Sequence, residues 1–175
     1  GLKLDTPKNE DVRPTTDRVK ESLFNIINPY IIESNVLDLF AGTGSLGIEC
    51  LSRGASSAIF VDVSKESINI VKSNIKKARV ENESTILNLD FKNAIDRLKI
   101  QNKKFDIIFM DPPYYKNMFI DALSSIDEAD LLCDDGIIVV EHDTKDKFVD
   151  KIGRLEKTRD KKYGNTTLTF YKLEE

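Results

Sequence analysis

The sequence holds few of the residues that build metal sites, disulfide frameworks and membrane spans. It has one histidine and two cysteines, Cys50 and Cys133. Two cysteines are too few for a disulfide framework, and this set makes a structural zinc site improbable. Clean apolar runs such as Ile107 to Met110 are short, whereas a membrane-spanning helix needs roughly 20 apolar residues. The first residues also lack an apolar signal-peptide core. We therefore expect no metal, no membrane span and a reducing, cytoplasmic location.

The sequence also has no large excess of either sign of charge, which excludes a uniformly cationic protein. The chain has 175 residues and a mass of 19.9 kDa, the size of one domain, and its net charge is −4. Residues 121–135 are rich in Asp and Glu without Lys or Arg, whereas residues 151–162 are rich in Lys and Arg. Two interpretations stay open, because these segments are either ordinary solvated surface or a basic contact face opposite an acidic back.

Apolar periodicity predicts strands that alternate with helices. This alternation is typical of βαβ units, and hence of a parallel sheet with helices on both faces. We predict an α/β fold with a mostly parallel, seven-stranded sheet and an antiparallel C-terminal strand. Residues 1–32 are expected to form an N-terminal extension and a helix that pack on the domain formed by residues 33–175. The predicted strands are 36–40, 58–63, 86–89, 105–110, 136–141, 154–159 and 166–173, and the predicted helices are 19–30, 46–51, 68–78, 94–98 and 119–132.

Acidic residues follow four of the predicted parallel strands. Asp38, Asp62, Asp90 and Asp111 lie where these strands end. In open α/β sheets, ligands bind outside the carboxyl ends of the strands. Equivalent positions on four strands therefore favour a functional interpretation over chance.

Residues 42–47 match the pattern G-x-G-x-x-G, which by itself is weak. It is compatible with a dinucleotide site or with a tight turn that binds nothing. The Asp38 carboxylate would repel a pyrophosphate beside this turn. It would attract the positively charged sulfonium and ammonium groups of S-adenosylmethionine, so Asp38 favours that ligand. Gly42 and Gly44 would let the backbone approach that cofactor, and a carboxylate such as Asp62 has two oxygens for ribose hydroxyls. The rest of the predicted cofactor site comprises Phe40, Val63, Asp90, whose carboxylate would accept from the adenine amine, and Phe91, which would pack on the adenine ring.

The tetrapeptide Asp111-Pro112-Pro113-Tyr114 follows the fourth predicted strand directly. A plain surface loop is the alternative interpretation. An exocyclic base amine is a poor nucleophile, because its lone pair is delocalised into the ring. The Asp111 carboxylate and the Pro112 carbonyl, held by Pro113, could accept its two N–H groups while Tyr114 stacks on the base. Such a base must be unpaired or flipped out of its helix.

The segment from Asp38 to Gly44, together with the tetrapeptide, resembles the class I amino-methyltransferases. The segments 13–24, 140–142 and 163–166 narrow this resemblance to the bacterial family that methylates guanine N2 in 16S ribosomal RNA. The resemblance implies a Rossmann-like fold, S-adenosylmethionine as cofactor, and ribosomal RNA or the assembling small subunit as partner. It also places Thr15 and Arg18 at the methionine end of the cofactor, although a helix cap and a surface arginine explain them equally well.

Other functions stay open at this point. They are methylation of adenine N6 in DNA or RNA, methylation of a protein glutamine amide, an NAD-dependent oxidoreductase and a non-catalytic RNA-binding module. A general base is not required, because the cationic amine can lose its proton to water, so His142 is expected to be structural. We predict that Arg159, Lys161 and Lys162 contact RNA phosphates beside the active site, and that the protein is a monomer.

Overall fold

The computed structural model describes residues 4, 16–111 and 116–175, and of residues 116 and 117 it describes only the backbone. Five α-helices and eight strands lie in this part of the chain. The helices are α1 (Asp17–Ile27), α2 (Ser45–Ser52), α3 (Lys65–Ala78), α4 (Phe91–Ile100) and α5 (Lys116–Glu128). The strands are β1 (Asn35–Asp38), β2 (Ser57–Val61), β3 (Ser84–Leu87), β4 (Phe105–Met110), β5 (Leu132–Asp143), β6 (Lys151–Ile152), β7 (Leu155–Tyr163) and β8 (Thr166–Leu173).

All eight strands form one sheet in the order β3-β2-β1-β4-β5-β8-β7-β6. Strands β1 to β5 are parallel to one another, whereas β8 runs antiparallel to β5, and β7 and β6 continue as an antiparallel ribbon. This confirms the predicted α/β class with its mostly parallel sheet and antiparallel C-terminal strand. The eighth strand, β6, was not expected, because its two residues are too few to show a periodic pattern.

Helices cover both faces of the sheet, and each face has its own apolar core. Helices α1, α2 and α3 pack on one face, called here the α1 face, and α4 and α5 pack on the other, called the α5 face. Covered on both sides, the central strands are apolar almost throughout, and five of the six β4 residues are buried. In α1, Leu23, Phe24 and Ile27 are buried in the core of the α1 face. The predicted N-terminal helix therefore packs on the sheet, and a division of the chain at residue 32 stays a prediction.

The boundary between α5 and β5 differs from the prediction of a helix to residue 132 and a strand from residue 136. Helix α5 ends at Glu128 because Asp130 adopts a left-handed conformation with φ 52°. The N–H groups of Asp130 and Leu131 then donate to the Asp127 and Ile126 carbonyls at 3.0 and 3.2 Å, which closes the helix end. Strand β5 begins at Leu132 as a consequence. An apolar pair such as Leu131-Leu132 fits either element, so periodicity could not locate this boundary.

The acidic and basic segments of the sequence contact one another. Arg154 Nε lies 3.1 Å from Asp127 Oδ1, and its Nη2 lies 3.3 Å from Asp130 Oδ1. The interpretation of a basic face opposite an acidic back is therefore wrong for Arg154, which lies in the turn between β6 and β7. Among the described residues, no helix is both long and apolar enough to cross a membrane.

Candidate active site

Three aspartates lie at the carboxyl ends of three adjacent strands. Asp38 is the last residue of β1, Asp62 directly follows β2, and Asp111 directly follows β4. These strands are neighbours in the order β2-β1-β4, and the chain reverses its direction of winding between β1 and β4. Such a switch point is where open α/β sheets bind ligands. The sheet thus brings together three of the residues that the sequence singles out.

The glycine turn between β1 and α2 is held rigidly by hydrogen bonds from both sides. Gly42 and Gly44 have φ angles of 61° and 79°, a region that side chains disfavour. The Gly42 N–H donates to Asp62 Oδ2 at 3.0 Å. On the other side, the buried Asn74 side chain donates to the Thr43 carbonyl at 2.9 Å. At its two glycines, the turn therefore presents backbone at the edge of the sheet.

The third glycine of the pattern serves packing. A Cβ atom on Gly47 would lie 2.4 Å from a ring carbon of Phe60, closer than any real contact. Only glycine therefore lets the first turn of α2 approach β2 this closely. This approach brings the Gly47 N–H to 3.3 Å from Asp38 Oδ2, so the helix start and the β1 carboxylate are joined.

Asp38 is a buried carboxylate with an unusual affinity for protons. Its exposure is only 3%. Burial raises the pKa of its carboxyl from 3.8 to about 7, against the lowering effect of the Gly47 N–H, and the negative charge of Asp62 adds to the rise. Without a ligand, Asp38 therefore holds a proton for a large part of the time at neutral pH. A cation placed beside it would stabilise its ionised form.

Asp62 uses each of its oxygens to organise the loop around it. Oδ2 accepts from Gly42, and Oδ1 accepts from the Ser64 N–H at 2.9 Å. A carboxylate oxygen has two lone pairs, so each can still accept a second hydrogen bond. The Asn88 side chain donates to the carbonyls of Asp62 and Val63 at 2.9 and 3.1 Å, and Val63 is 72% exposed. The loop thus combines carboxylate lone pairs with an open apolar surface.

Two aromatic rings follow strand ends at this edge of the sheet. Phe40 lies after β1, Phe91 begins α4 after β3, and their ring centroids lie 5.6 Å apart. Asp90 has a structural role, since it caps α4 by accepting from the Asn93 N–H at 2.8 Å and from the Asn93 side chain at 3.0 Å. A contact between Asp90 and an adenine amine stays a prediction.

Asp111 lies beside a small cavity on the α1 face. Among the described residues, those that line this cavity besides Asp111 and Glu141 are apolar, namely Leu23, Leu46, Phe109, Met110, Val139 and Leu168. The predicted catalytic residues Pro112, Pro113 and Tyr114 lie outside the described part of the chain, and so does Thr15. Thr16 caps α1, accepting from the Val19 N–H at 3.4 Å, and Arg18 lies exposed in the first turn of this helix.

His142 is engaged inside the sheet. Its Nδ1 lies 2.8 Å from the Asp143 carbonyl, and its Nε2 lies 2.6 Å from Thr169 Oγ1, which itself donates to Asp160 at 2.6 Å. Burial lowers the pKa of His142, against the raising effects of the Asp143 carbonyl and of nearby carboxylates. These contacts support the expected structural role for this residue.

The cations of the C-terminal hairpin separate into two groups. Lys151, Arg154 and Lys157 form ion pairs with acidic side chains. Arg159, Lys161 and Lys162 form no ion pair with any other described residue, and they lie towards the carboxyl edge of the parallel strands, where β8 begins beside the end of β5. Lys161 and Arg159 pair with Leu168 and Phe170 of the α1 face, whereas Lys162 pairs with Thr167 and points to the α5 face. The predicted RNA-binding trio is therefore divided between two faces.

Asn74 and Asn88 position the site and were not predicted from the sequence. Asn74 is fully buried on the apolar face of α3, beside Val71 and Ile75. A polar residue at a buried helical position is the signal that could have identified it. Asn88 directly follows β3, at the same sheet edge as the predicted site residues. Among the described residues, no three His, Cys, Asp or Glu side chains are arranged to hold a metal ion.

Comparison with known proteins identifies the family. The model of the family described as "Conserved hypothetical protein 95" matches residues 1–172. The chain belongs to this family. It is 41% identical over 172 residues to "Putative rRNA methyltransferase YlbH" of Bacillus subtilis, across 98% of this chain and 94% of that protein. It is also 41% identical over 150 residues to "Ribosomal RNA small subunit methyltransferase D" of Haemophilus influenzae, across 84% of this chain and 76% of that protein.

The fold of the family agrees with a solved structure. "Putative methyltransferase yhhF from Escherichia coli" superposes with a TM-score of 0.85 at 25% identity, and the match covers 100% of this chain and 93% of that one. These relatives confirm the resemblance to small-subunit ribosomal RNA methyltransferases and the class I methyltransferase fold.

Proposed function

We propose that this protein methylates the exocyclic N2 amine of a guanine in small-subunit ribosomal RNA. The observation that supports this most is the row of Asp62, Asp38 and Asp111 at the ends of three adjacent strands, on a chain whose relatives are named ribosomal RNA methyltransferases. Along this row, the carboxylates suit the ribose hydroxyls and the positive charge of a cofactor, and then the amine of a substrate. They suit a pyrophosphate poorly, which disfavours an NAD-dependent oxidoreductase.

The cofactor is S-adenosylmethionine, and the described residues fit its parts. When bound, it supplies a methyl group on a positively charged sulfur, which becomes a neutral thioether after transfer. The buried Asp38 stabilises positive charge near the glycine turn, at the energetic cost of its own burial. Asp62 accepts from the ribose hydroxyls with its remaining lone pairs. The exposed Val63 and the ring pair of Phe40 and Phe91 cover the adenine.

Asp111 and the tetrapeptide that it begins hold the target amine. The Asp111 carboxylate accepts one N–H of the amine, the Pro112 carbonyl accepts the other, and Tyr114 stacks on the flipped base. Fixing both N–H groups aims the nitrogen lone pair at the methyl carbon and stabilises the positive charge that develops on nitrogen. The cofactor would supply the methyl group to this nitrogen, which would then lose its extra proton to water.

RNA reaches this pocket along the α1 face of the hairpin. Arg159 and Lys161 lie on that face. Leu168 of β8 is the cross-strand neighbour of Lys161 on one side and of Glu141, at the cavity, on the other. Phosphates are the expected partners of such cations. Arg18 at the start of α1 and Lys162 on the opposite face are secondary candidates. We propose a monomer that acts in the cytoplasm, on ribosomal RNA or on the assembling subunit.

Transfer of a labelled methyl group tests this function. The purified protein is given labelled S-adenosylmethionine with unmodified small-subunit RNA, the assembling subunit, large-subunit RNA, duplex DNA or bulk protein. We expect label on N2 of a guanine in the first or second substrate. Asp111→Asn should abolish this transfer while calorimetry shows nearly unchanged cofactor affinity, and Asp134→Asn, an exposed carboxylate far from the edge, serves as control. Label on adenine N6 or on glutamine would overturn the proposed target.

A further inference from the structure

His142 takes part in a chain of three short hydrogen bonds within the sheet. Its Nδ1 lies 2.8 Å from the Asp143 carbonyl, and its Nε2 lies 2.6 Å from Thr169 Oγ1. The same hydroxyl oxygen lies 2.6 Å from Asp160 Oδ1. This chain joins three strands, because His142 belongs to β5, Thr169 to β8 and Asp160 to β7.

Each of the three contacts needs a hydrogen atom, and the usual protonation states cannot supply all of them. A carbonyl oxygen has no hydrogen to donate, so Nδ1 must carry one. The Thr169 hydroxyl has a single hydrogen, which serves either Nε2 or Asp160 but not both. With a neutral ring and an ionised Asp160, one pair of acceptor atoms would face each other at 2.6 Å without a hydrogen between them. The chain is therefore complete only when the ring holds a second proton.

The groups around the ring act on this proton in both directions. Burial lowers the pKa of the ring, whereas the Asp143 carbonyl and the negative charges of Asp160 and Asp146 raise it. On the same face of the hairpin, Lys157 pairs with Asp160 and thereby keeps this carboxylate ionised. The remaining charged or titratable side chains of the adjoining elements are Lys162 of β7, Tyr171 of β8, and Lys145 and Lys147, both exposed, of the segment after β5.

We propose that protonation of His142 fixes the hairpin of β7 and β8 on β5, and that loss of this proton loosens the hairpin. With the ring protonated, Nε2 donates to Thr169, and Thr169 donates to Asp160, so both neighbouring strands are held. With the ring neutral, Thr169 serves only one of its two neighbours. Either β5 or β7 then loses a side-chain hydrogen bond to β8.

The ring lies between two parts of the candidate active site. Phe119 packs against it with centroids 6.2 Å apart, near the start of α5, and this helix begins two residues after Tyr114. At the other end of the chain, Asp160 stands in β7 between Arg159 and Lys161, the two cations proposed to contact RNA. His142 is therefore a positioning residue, and its effect on RNA, unlike its protonation, rests on the proposed function.

The titration of the ring can be followed directly, because the chain has one histidine. In tag-free protein labelled with ¹⁵N-histidine, the nuclear magnetic resonance shifts of both ring nitrogens are measured against pH. Thr169→Val removes the hydroxyl that accepts from Nε2 and should lower the titration midpoint by about one pH unit. Thr169→Ser keeps the hydroxyl and should titrate like wild type. Asp146→Asn removes a nearby carboxylate outside the chain and should lower the midpoint less than Asp160→Asn does.

The loosening of the hairpin is measured by amide hydrogen exchange. Protection factors in β7 and β8 should fall by about tenfold as the pH rises through the midpoint, the equivalent of one lost hydrogen bond. Wild type and Thr169→Ser should show this fall, whereas Thr169→Val should show low protection throughout. At saturating cofactor, KM for RNA should rise over the same pH range in the first two proteins and stay level in the third.

The outcomes separate this inference from the proposed function. A midpoint that is the same in wild type, Thr169→Val and Asp160→Asn would show that the ring is not joined to Asp160, and it would overturn the inference. Hairpin protection that does not change through the wild-type midpoint would overturn it as well. If wild type methylates no RNA, the proposed function fails, whereas the titration and the exchange still decide whether His142 fixes the hairpin.

Discussion

Replacement of the buried Asp38 by asparagine should stabilise the protein and impair its cofactor site. The pKa of this carboxyl is about 7 in the folded protein, against an ordinary value of 3.8. As the pH rises from about 4 to 7, the unfolded chain ionises before the folded one, so this residue progressively lowers the free energy of unfolding. The full effect, reached above pH 7, is at most about 4 kcal/mol. Asparagine keeps an oxygen for the Gly47 N–H and carries no charge.

The assay is urea unfolding of wild type and Asp38→Asn at pH 5.5 and pH 8.0. Between these values the difference in unfolding free energy should shift in favour of the variant by about 2 kcal/mol, because other titrating groups are common to both proteins. Asp90→Asn makes the same substitution at an exposed helix cap, where asparagine also caps well, and should show no such shift. A constant difference between wild type and Asp38→Asn would refute the assignment of a costly buried charge.

The same variant connects the buried charge to the cofactor. A cation binds the ionised form of Asp38, so wild-type affinity for S-adenosylmethionine should strengthen as the pH rises through 7, with release of a proton. Calorimetry should show weaker binding by Asp38→Asn and the loss of this part of the pH dependence. Identical pH profiles in the two proteins would show that Asp38 serves only the turn.

Two further predictions concern the ribose and the RNA. Asp62→Ala should weaken cofactor binding by about 1–3 kcal/mol in calorimetry. Asp62→Asn keeps an acceptor for Gly42 or Ser64 and so separates this loss from collapse of the loop. Unchanged affinity in both variants would show that Asp62 does not bind the ribose. The double substitution Arg159→Ala/Lys161→Ala should raise KM for RNA and flatten its salt dependence by about 0.7 for each lost phosphate contact. Lys162→Ala, on the opposite face, should change both less, and equal effects from the two variants would contradict an RNA path along the α1 face.

The sequence was sufficient to predict which residues lie at the carboxyl edge of the sheet, because nearby residues mark the end of each strand. The apolar strands stop at Asp38, Asp62 and Asp111 or within two residues of them, and glycines follow where the backbone needs positive φ. Parallel pairing then brings these ends together without any further information. The general arrangement of the site could be predicted for this reason.

Long-range contacts could not be predicted in the same way. The ion pairs of Arg154 with Asp127 and Asp130, and the hydrogen bond from Asn74 to the glycine turn, join residues that are 24 to 31 positions apart. Alternation along β7 separates Arg159 and Lys161 from Lys162, but the face that each of them occupies depends on a register shift between Lys157 and Arg159, which alternation alone does not reveal. The pKa of Asp38 depends on how deeply the β1 end is buried, which only the assembled sheet determines.

Mapping of modified nucleotides tests the proposed reaction most directly. Ribosomal RNA from cells with and without the gene is digested and compared by mass spectrometry, and the deletion strain is then complemented with wild type or Asp111→Asn. We predict that one N2-methylguanosine of the small-subunit RNA disappears on deletion, returns with wild type and stays absent with Asp111→Asn. An unchanged methylation pattern, or the loss of a methyl group from a different base or from large-subunit RNA, would contradict the assignment.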